Sequence, residues 1–160
     1  MSGAHPMSPP IAIADLASRV GGAPFTSRWF ALDQARIDAF AAATEDRQLI
    51  HVDPVAARST PFGGTIAHGF LSLAMLSAMA DDALPAVAGQ ALSLNYGFDR
   101  VRFLAPVKAG ARVRGVFALA EVARRSPREW LTRYDATIEI EDAEKPALVA
   151  QWLTLLVEAG

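Results

Sequence analysis

Apolar positions follow two different periods along this chain, a helical one over its first half and an extended one beyond Gly89. Ile13, Leu16, Ala17 and Val20 recur at helical spacing and predict a short helix over Ile11 to Val20, which Gly21-Gly22 stops. Thr26 to Leu32 is rich in aromatic residues and predicts a strand. Asp33 is placed to cap a helix from Gln34 to Ala43 whose inner face carries Ile37, Phe40, Ala41 and Thr44. Pro54 suits the first turn of a brief helix through Arg58, and Ser59 to Gly64, a proline with two adjacent glycines, predicts a loop. Gly69 to Ala80 is an unbroken apolar run, too short to span a bilayer and too long for a typical strand, and so predicts a helix buried all round that ends near Asp81-Asp82 and Pro85. Four extended segments follow, Ala91 to Phe103, Arg112 to Val122, Trp130 to Glu141 and Leu148 to Glu158. Gly110, Ser126-Pro127 and Asp142 to Pro146 supply the turns between them. Helices first and a meander afterwards predict an α+β architecture, an antiparallel sheet wrapped around the apolar helix.

The chain's 160 residues, 52% of them apolar, are enough for one compact domain and too few for two comfortable ones. Met1 to Pro10, rich in proline and serine, is expected as a loose tail, leaving residues 11–160 as the domain. A formal net charge of -2 with scattered basic residues predicts no nucleic-acid partner and no anionic-membrane patch. With no cysteine there is no disulfide, thiolate nucleophile or cysteine-ligated metal, which fits a reducing compartment. No basic stretch followed by an apolar one opens the chain, so no signal peptide is read and a cytoplasmic location is expected.

The polar passage before the apolar helix concentrates the candidate chemistry, with Asp46, His51, Asp53 and His68 close together in sequence. Asp46 and His51 are five apart across an expected non-helical turn, a spacing that lets a carboxylate and an imidazole face one water, one taking its proton while the other donates elsewhere. Beside them, the free backbone N–H groups at the helix start near His68 and Gly69 would stabilise a carbonyl oxygen becoming an enolate, and glycine permits close approach. Plainer roles stand beside each of these. Asp46 can be a turn residue, His51 a satisfied loop histidine, His68 a structural group serving orphan backbone atoms, and Asp53 the cap of the helix that Pro54 opens. His51, Asp53 and His68 also make a weak metal-ligand pattern.

Together these residues resemble the MaoC-like family of (R)-specific enoyl-CoA hydratases and dehydratases, a hotdog-fold group, and within it the members like nodulation protein N. The family's Gly-Asp-x-Asn-Pro-Leu-His-x-Asp is matched by Glu45 to Asp53, its loop with Phe by Pro61-Phe62-Gly63-Gly64, and its Ile-Ala-His-Gly by Ile66-Ala67-His68-Gly69. Phe103-Leu104-Ala105-Pro106-Val107-Lys108-Ala109-Gly110 is similar to its Phe-x-x-Pro-Val-x-x-Gly. The chain departs from the pattern at Glu45, where glycine is usual, at Gln48-Leu49, where Asn-Pro stands, and at Ala111, often aspartate. The resemblance implies syn hydration of a trans-2-enoyl-CoA to an (R)-3-hydroxyacyl-CoA, or the reverse. Asp46 and His51 would handle the water, and the Gly69 amide would bind the thioester oxygen. It further implies no metal or redox cofactor, with coenzyme A as part of the substrate, and a homodimer joined sheet edge to sheet edge.

An acyl chain lying along the helix would make Phe62, Phe70, Leu73, Ser77 and Ala80 pocket wall, although each serves equally as core. Asn95 and Tyr96 are candidates to orient the site from the neighbouring strand, while Arg100 and Arg102, alternating onto one face near Lys108, are candidates for the phosphates of coenzyme A. His68 is counted with the substrate-binding candidates. Two rival readings remain: a hotdog thioesterase, and a non-catalytic subunit that binds acyl thioesters on coenzyme A or an acyl carrier.

Overall fold

The computed structural model describes residues 9–159, so the tail expected over Met1 to Pro10 lies almost wholly outside the described residues. Four long strands build the sheet: β3 (Gln90–Phe103), β4 (Arg112–Ser126), β5 (Glu129–Ile140) and β6 (Leu148–Glu158), with the two-residue pieces β1 (Phe25–Thr26) and β2 (Phe30–Ala31) on β4. The sheet is antiparallel, in the order β1-β4-β5-β6-β3, with β2 also on β4. Among the described residues there are five helices: α1 (Ile13–Ala17), α2 (Gln34–Thr44), α3 (Leu49–Val52), α4 (Pro54–Ala57) and α5 (Gly69–Ala83). The expected hotdog arrangement is what forms, α5 lying against the concave face of the sheet.

Period-2 alternation explains the packing. Val113, Phe117, Leu119, Tyr134, Ala136, Ile138, Leu148, Ala150 and Trp152 all turn inward and join one buried cluster with Leu71, Leu76 and Met79 of α5. Gly115 lets the helix approach: a Cβ there would lie 2.9 Å from that of Met79 and 2.7 Å from the Phe117 ring. Full burial of Met79 contributes roughly 2 kcal/mol to that contact.

Several expectations are corrected. The strand expected over Thr26 to Leu32 is two pieces, because Ser27 breaks the ladder by accepting the Gly115 N–H on its side-chain oxygen. The first helix is shorter at both ends, since Ile11 pairs with Val87 and Ser18 closes the helix onto Ala14 and Leu16. The apolar helix ends at Ala83, between Asp81-Asp82 and Pro85 as expected, with Asp82 accepting the Arg28 N–H from outside. That helix is, however, not buried all round. Phe70, Ala74, Ala78 and Asp81 form an exposed stripe, Phe70 being 68% exposed; small residues at 74 and 78 hid the stripe from a reading based on hydropathy. No helix among the described residues is long and apolar enough to cross a membrane.

Candidate active site

The site is built where α2 ends, α3 turns and α5 begins. Asp33 caps α2 by accepting the Arg36 N–H, as the sequence predicts, and the helix ends on Glu45 in the left-handed region at φ 64 and ψ 7. That turn reverses the chain and delivers Asp46. A glutamate held there carries strain of about 1–2 kcal/mol that glycine avoids, against roughly 0.5–1 kcal/mol for glycine's extra freedom when unfolded. Glu45→Gly is therefore expected to raise the thermal midpoint by a few degrees, up to about 4 °C. An unchanged or lower midpoint in a melting experiment would show the turn to be unstrained.

His51 does not sit on a non-helical turn. It lies on α3, which forms because the Gln48 carbonyl accepts the N–H groups of both His51 and Val52 and no breaker intervenes before Pro54. Asp53 caps α4 as expected, accepting the N–H groups of Val55 and Ala56 on one oxygen, so its carboxylate is engaged away from the histidines.

Asp46, His51 and His68 are brought together, each with a ligating atom within 4.8 Å of the others. The His51 ring is 6% exposed, and its Nδ1 donates to the Ile66 carbonyl at 2.7 Å, leaving Nε2 as the free ring nitrogen. The His68 ring stacks on it, centroids 3.8 Å apart and planes 25° from parallel, and donates from Nε2 to the Asp46 carbonyl at 2.9 Å. Asp46 is half-buried, and its carboxylate has no protein hydrogen bond among the described residues.

Gly69 opens α5 beside this cluster. The first intrahelical bond runs from the Ser72 N–H to the His68 carbonyl, so the amides of Gly69, Phe70 and Leu71 have no partner within the helix. A Cβ on Gly69 would meet the Phe103 ring at 3.1 Å. A cavity of about 270 Å³ is bounded here by His51, Gly69, Ser72, Phe103 and Val107.

The remaining candidates lie elsewhere. Phe70 packs edge-on against Phe103 at the cavity's mouth. Ser77, Ala80 and Asn95 line a second, larger cavity of about 1110 Å³ along the far half of α5, where the Asn95 amide donates to the Ser77 hydroxyl at 3.1 Å. Tyr134 shares that lining, and burial pushes its phenol from 10.0 up to about 12, so it stays a neutral donor at ordinary pH. Tyr96 lies beneath the Arg125 guanidinium, 4.6 Å from the ring centroid, and not at the histidine cluster. Phe62 is half-buried in the 59–64 loop, bonded through its N–H to the Thr60 hydroxyl. Arg100 and Arg102 are exposed on β3, and Arg102 donates to the neighbouring Val101 carbonyl. His68 is 2% exposed and stacked on His51, and its ring is not part of the cavity wall, where the sequence led us to expect it against substrate.

Sequence reasoning missed Gln34. Its amide donates to the His51 carbonyl at 2.7 Å and accepts the Thr65 hydroxyl, tying α2, α3 and the approach to α5 together. Nothing local marks a glutamine at the start of a helix for that role. Ser72, buried and lining the smaller cavity, was likewise hidden within the apolar run.

Comparison with known proteins gives a consistent result. A family model described as a MaoC like domain matches residues 15–139. The chain is 50% identical to Nodulation protein N of Rhizobium leguminosarum bv. viciae over 147 residues, 91% of each chain. It is 42% identical to 3-hydroxyacyl-thioester dehydratase Z of Mycobacterium tuberculosis (strain CDC 1551 / Oshkosh) over 139 residues, 87% of this chain and 91% of that one. Among solved structures, the MaoC-like dehydratase from Rhodospirillum rubrum superposes with a TM-score of 0.75 at 21% identity, covering 94% of this chain and 99% of that one, a likeness of fold.

Proposed function

The chain belongs to the MaoC-like dehydratase family, and on that premise we propose that it adds water across the double bond of a trans-2-enoyl thioester, or removes it from the (R)-3-hydroxyacyl product. The observation that carries this reading is the meeting of the Asp46 carboxylate and the His51 imidazole within 4.8 Å, next to the unpartnered amides that open α5.

Hydration needs three things from the protein. A water must be held and relieved of a proton as its oxygen attacks the β-carbon, the α-carbon must receive a proton, and the negative charge passing through the thioester oxygen must be stabilised. Asp46 and the free Nε2 of His51 hold the water between them and exchange its protons. The Gly69 amide, at the positive end of α5, donates its N–H to the enolate oxygen. Both proton transfers come from one side of the substrate, which gives syn addition. A metal is not part of the reading, although Asp46, His51 and His68 lie close enough together to hold one.

The acyl chain runs from the smaller cavity along the exposed stripe of α5 toward the larger cavity at Ser77 and Asn95. Ser77→Phe is then expected to lower kcat/KM for medium-chain enoyl thioesters about 10-fold more than for the four-carbon substrate, about the scale of filling an apolar pocket; an equal loss at both lengths would place the chain elsewhere. β3 is a 14-residue edge strand with Leu92, Leu94, Tyr96, Phe98 and Phe103 exposed, and a second copy pairing along it would cover that edge and the Phe70 stripe. Arg100 and Arg102, on the same strand, then flank the entrance and suit the phosphates of coenzyme A.

The deciding experiment incubates the purified protein with trans-2-enoyl-CoA of several lengths, following loss of the conjugated thioester absorbance and release of free thiol in parallel. Enone loss without thiol is the expected result. Thiol release would make the protein a thioesterase, and silence at every length a non-catalytic binder.

A further inference from the structure

Hydration leaves the chemistry of His68 unused, although the side chain is 2% exposed in the middle of the site. The residue stands at the N-cap of α5, where a side chain ordinarily accepts from the first free N–H groups, and it makes no such bond. Its ring is turned the other way. Nε2 lies 2.9 Å from the Asp46 carbonyl and, because a carbonyl only accepts, carries the hydrogen. The lone pair of the neutral ring is then on Nδ1, which is buried without any partner. An unpaired buried acceptor destabilises the fold, so the ring's retention there calls for a compensating role.

Two further contacts define it. The ring stacks on His51 at 3.8 Å and packs against Phe40 at 5.0 Å between centroids. The stack fixes the plane of the His51 imidazole, and the Nδ1–H bond to the Ile66 carbonyl fixes its rotation within that plane, so the direction of Nε2 is determined. Asp46, for its part, belongs to no helix or strand, since residues 45–48 run free between α2 and α3. Its carbonyl is held by His68.

We infer that His68 is a positioning residue that holds both members of the acid–base pair with one ring, its Nε2–H fixing the Asp46 backbone and its face fixing the plane of His51. This rests on the hydration reading for its kinetic consequence, but not for its geometry. The arrangement asks for a planar group with a donor at the far end. Glutamine supplies an amide N–H at the level of Nε2 and a flat amide to lie on His51. Asparagine ends one bond short, and alanine supplies neither.

The test compares His68→Gln, His68→Asn and His68→Ala in the full chain, with thermal midpoints measured for each. His68→Asn and His68→Ala are expected to lose about 10²-fold in kcat with KM changed by no more than about threefold, whereas His68→Gln stays within about tenfold of the parent. A merely structural role would lower the midpoints without separating Gln from Asn in kcat. Geometry is read without turnover by long-range proton–nitrogen correlation of the His51 ring. A single Nδ1–H tautomer is expected in the parent and in His68→Gln, and a mixture in His68→Ala. An unmixed His51 tautomer in His68→Ala, or equal kcat in His68→Asn and His68→Gln, overturns the inference. A parent that turns over no enoyl thioester overturns the hydration reading alone, and the tautomer comparison then decides the role of His68.

Discussion

Asp46→Asn is expected to fold like the parent and to lose about 10²–10⁴-fold in turnover, the range that positioned acid–base groups contribute. The two side chains have the same shape, and the part of Asp46 that the fold holds is its backbone carbonyl, which the substitution leaves in place. The carboxylate is half-buried and has no protein hydrogen bond among the described residues, so removing its charge strands no partner. What the amide cannot do is accept a proton from water. Because that transfer belongs to the transition state, kcat and kcat/KM should fall together while KM stays near its parent value. The measurement is steady-state hydration of an enoyl thioester beside a thermal melt. Turnover within a few-fold of the parent, in a protein that melts normally, would remove Asp46 from the chemistry and return it to the role of a turn residue.

How far such a site could be read from sequence depended on the range of the interactions. Asp33, Asp53 and Pro54 were legible because a cap is a local event, decided within three residues. The long strands were legible too, since alternation at Val113, Phe117, Tyr134, Ile138, Leu148 and Trp152 is imposed by a single face. Ser27 was not. Its side chain displaces a ladder bond to Gly115, 88 residues away, and no window of sequence contains both. The same limit applied to α5, where Ala74 and Ala78 are as apolar as core residues yet face outward beside an uncovered sheet edge.

Within the site, motif spacing found which residues meet but not what each does there. Asp46, His51 and His68 do lie together, and Gly69 lines the same cavity as His51. His68 turns its ring away from the helix it opens, because the direction in which an N-cap side chain turns is set by what lies across the loop and not by its own sequence neighbours. Gln34 escaped for the same reason: its value lies in reaching the His51 carbonyl, 17 positions on. Where the family pattern has glycine, the turn forms here with Glu45 itself in the left-handed region. The departure from the family pattern is thus met by strain at one residue, with the aspartate kept in place.

His51→Asn separates chemistry from architecture at the second member of the pair. An asparagine amide nitrogen sits at the level of the imidazole Nδ1, so the variant can keep the bond to the Ile66 carbonyl that secures this part of the fold. It lacks any group at the level of Nε2, the nitrogen left free beside Asp46 and the smaller cavity. Turnover is expected to fall by about 10²–10⁴-fold with the thermal midpoint nearly preserved, whereas His51→Gln, with its donor one bond further out, should lose the Ile66 bond and melt lower as well. Steady-state hydration and melting of the two variants check this. An active His51→Asn would leave Asp46 alone to handle the water. Loss of hydration in both Asp46→Asn and His51→Asn, to levels that the double variant does not lower further, would show that carboxylate and imidazole act on one water as a unit.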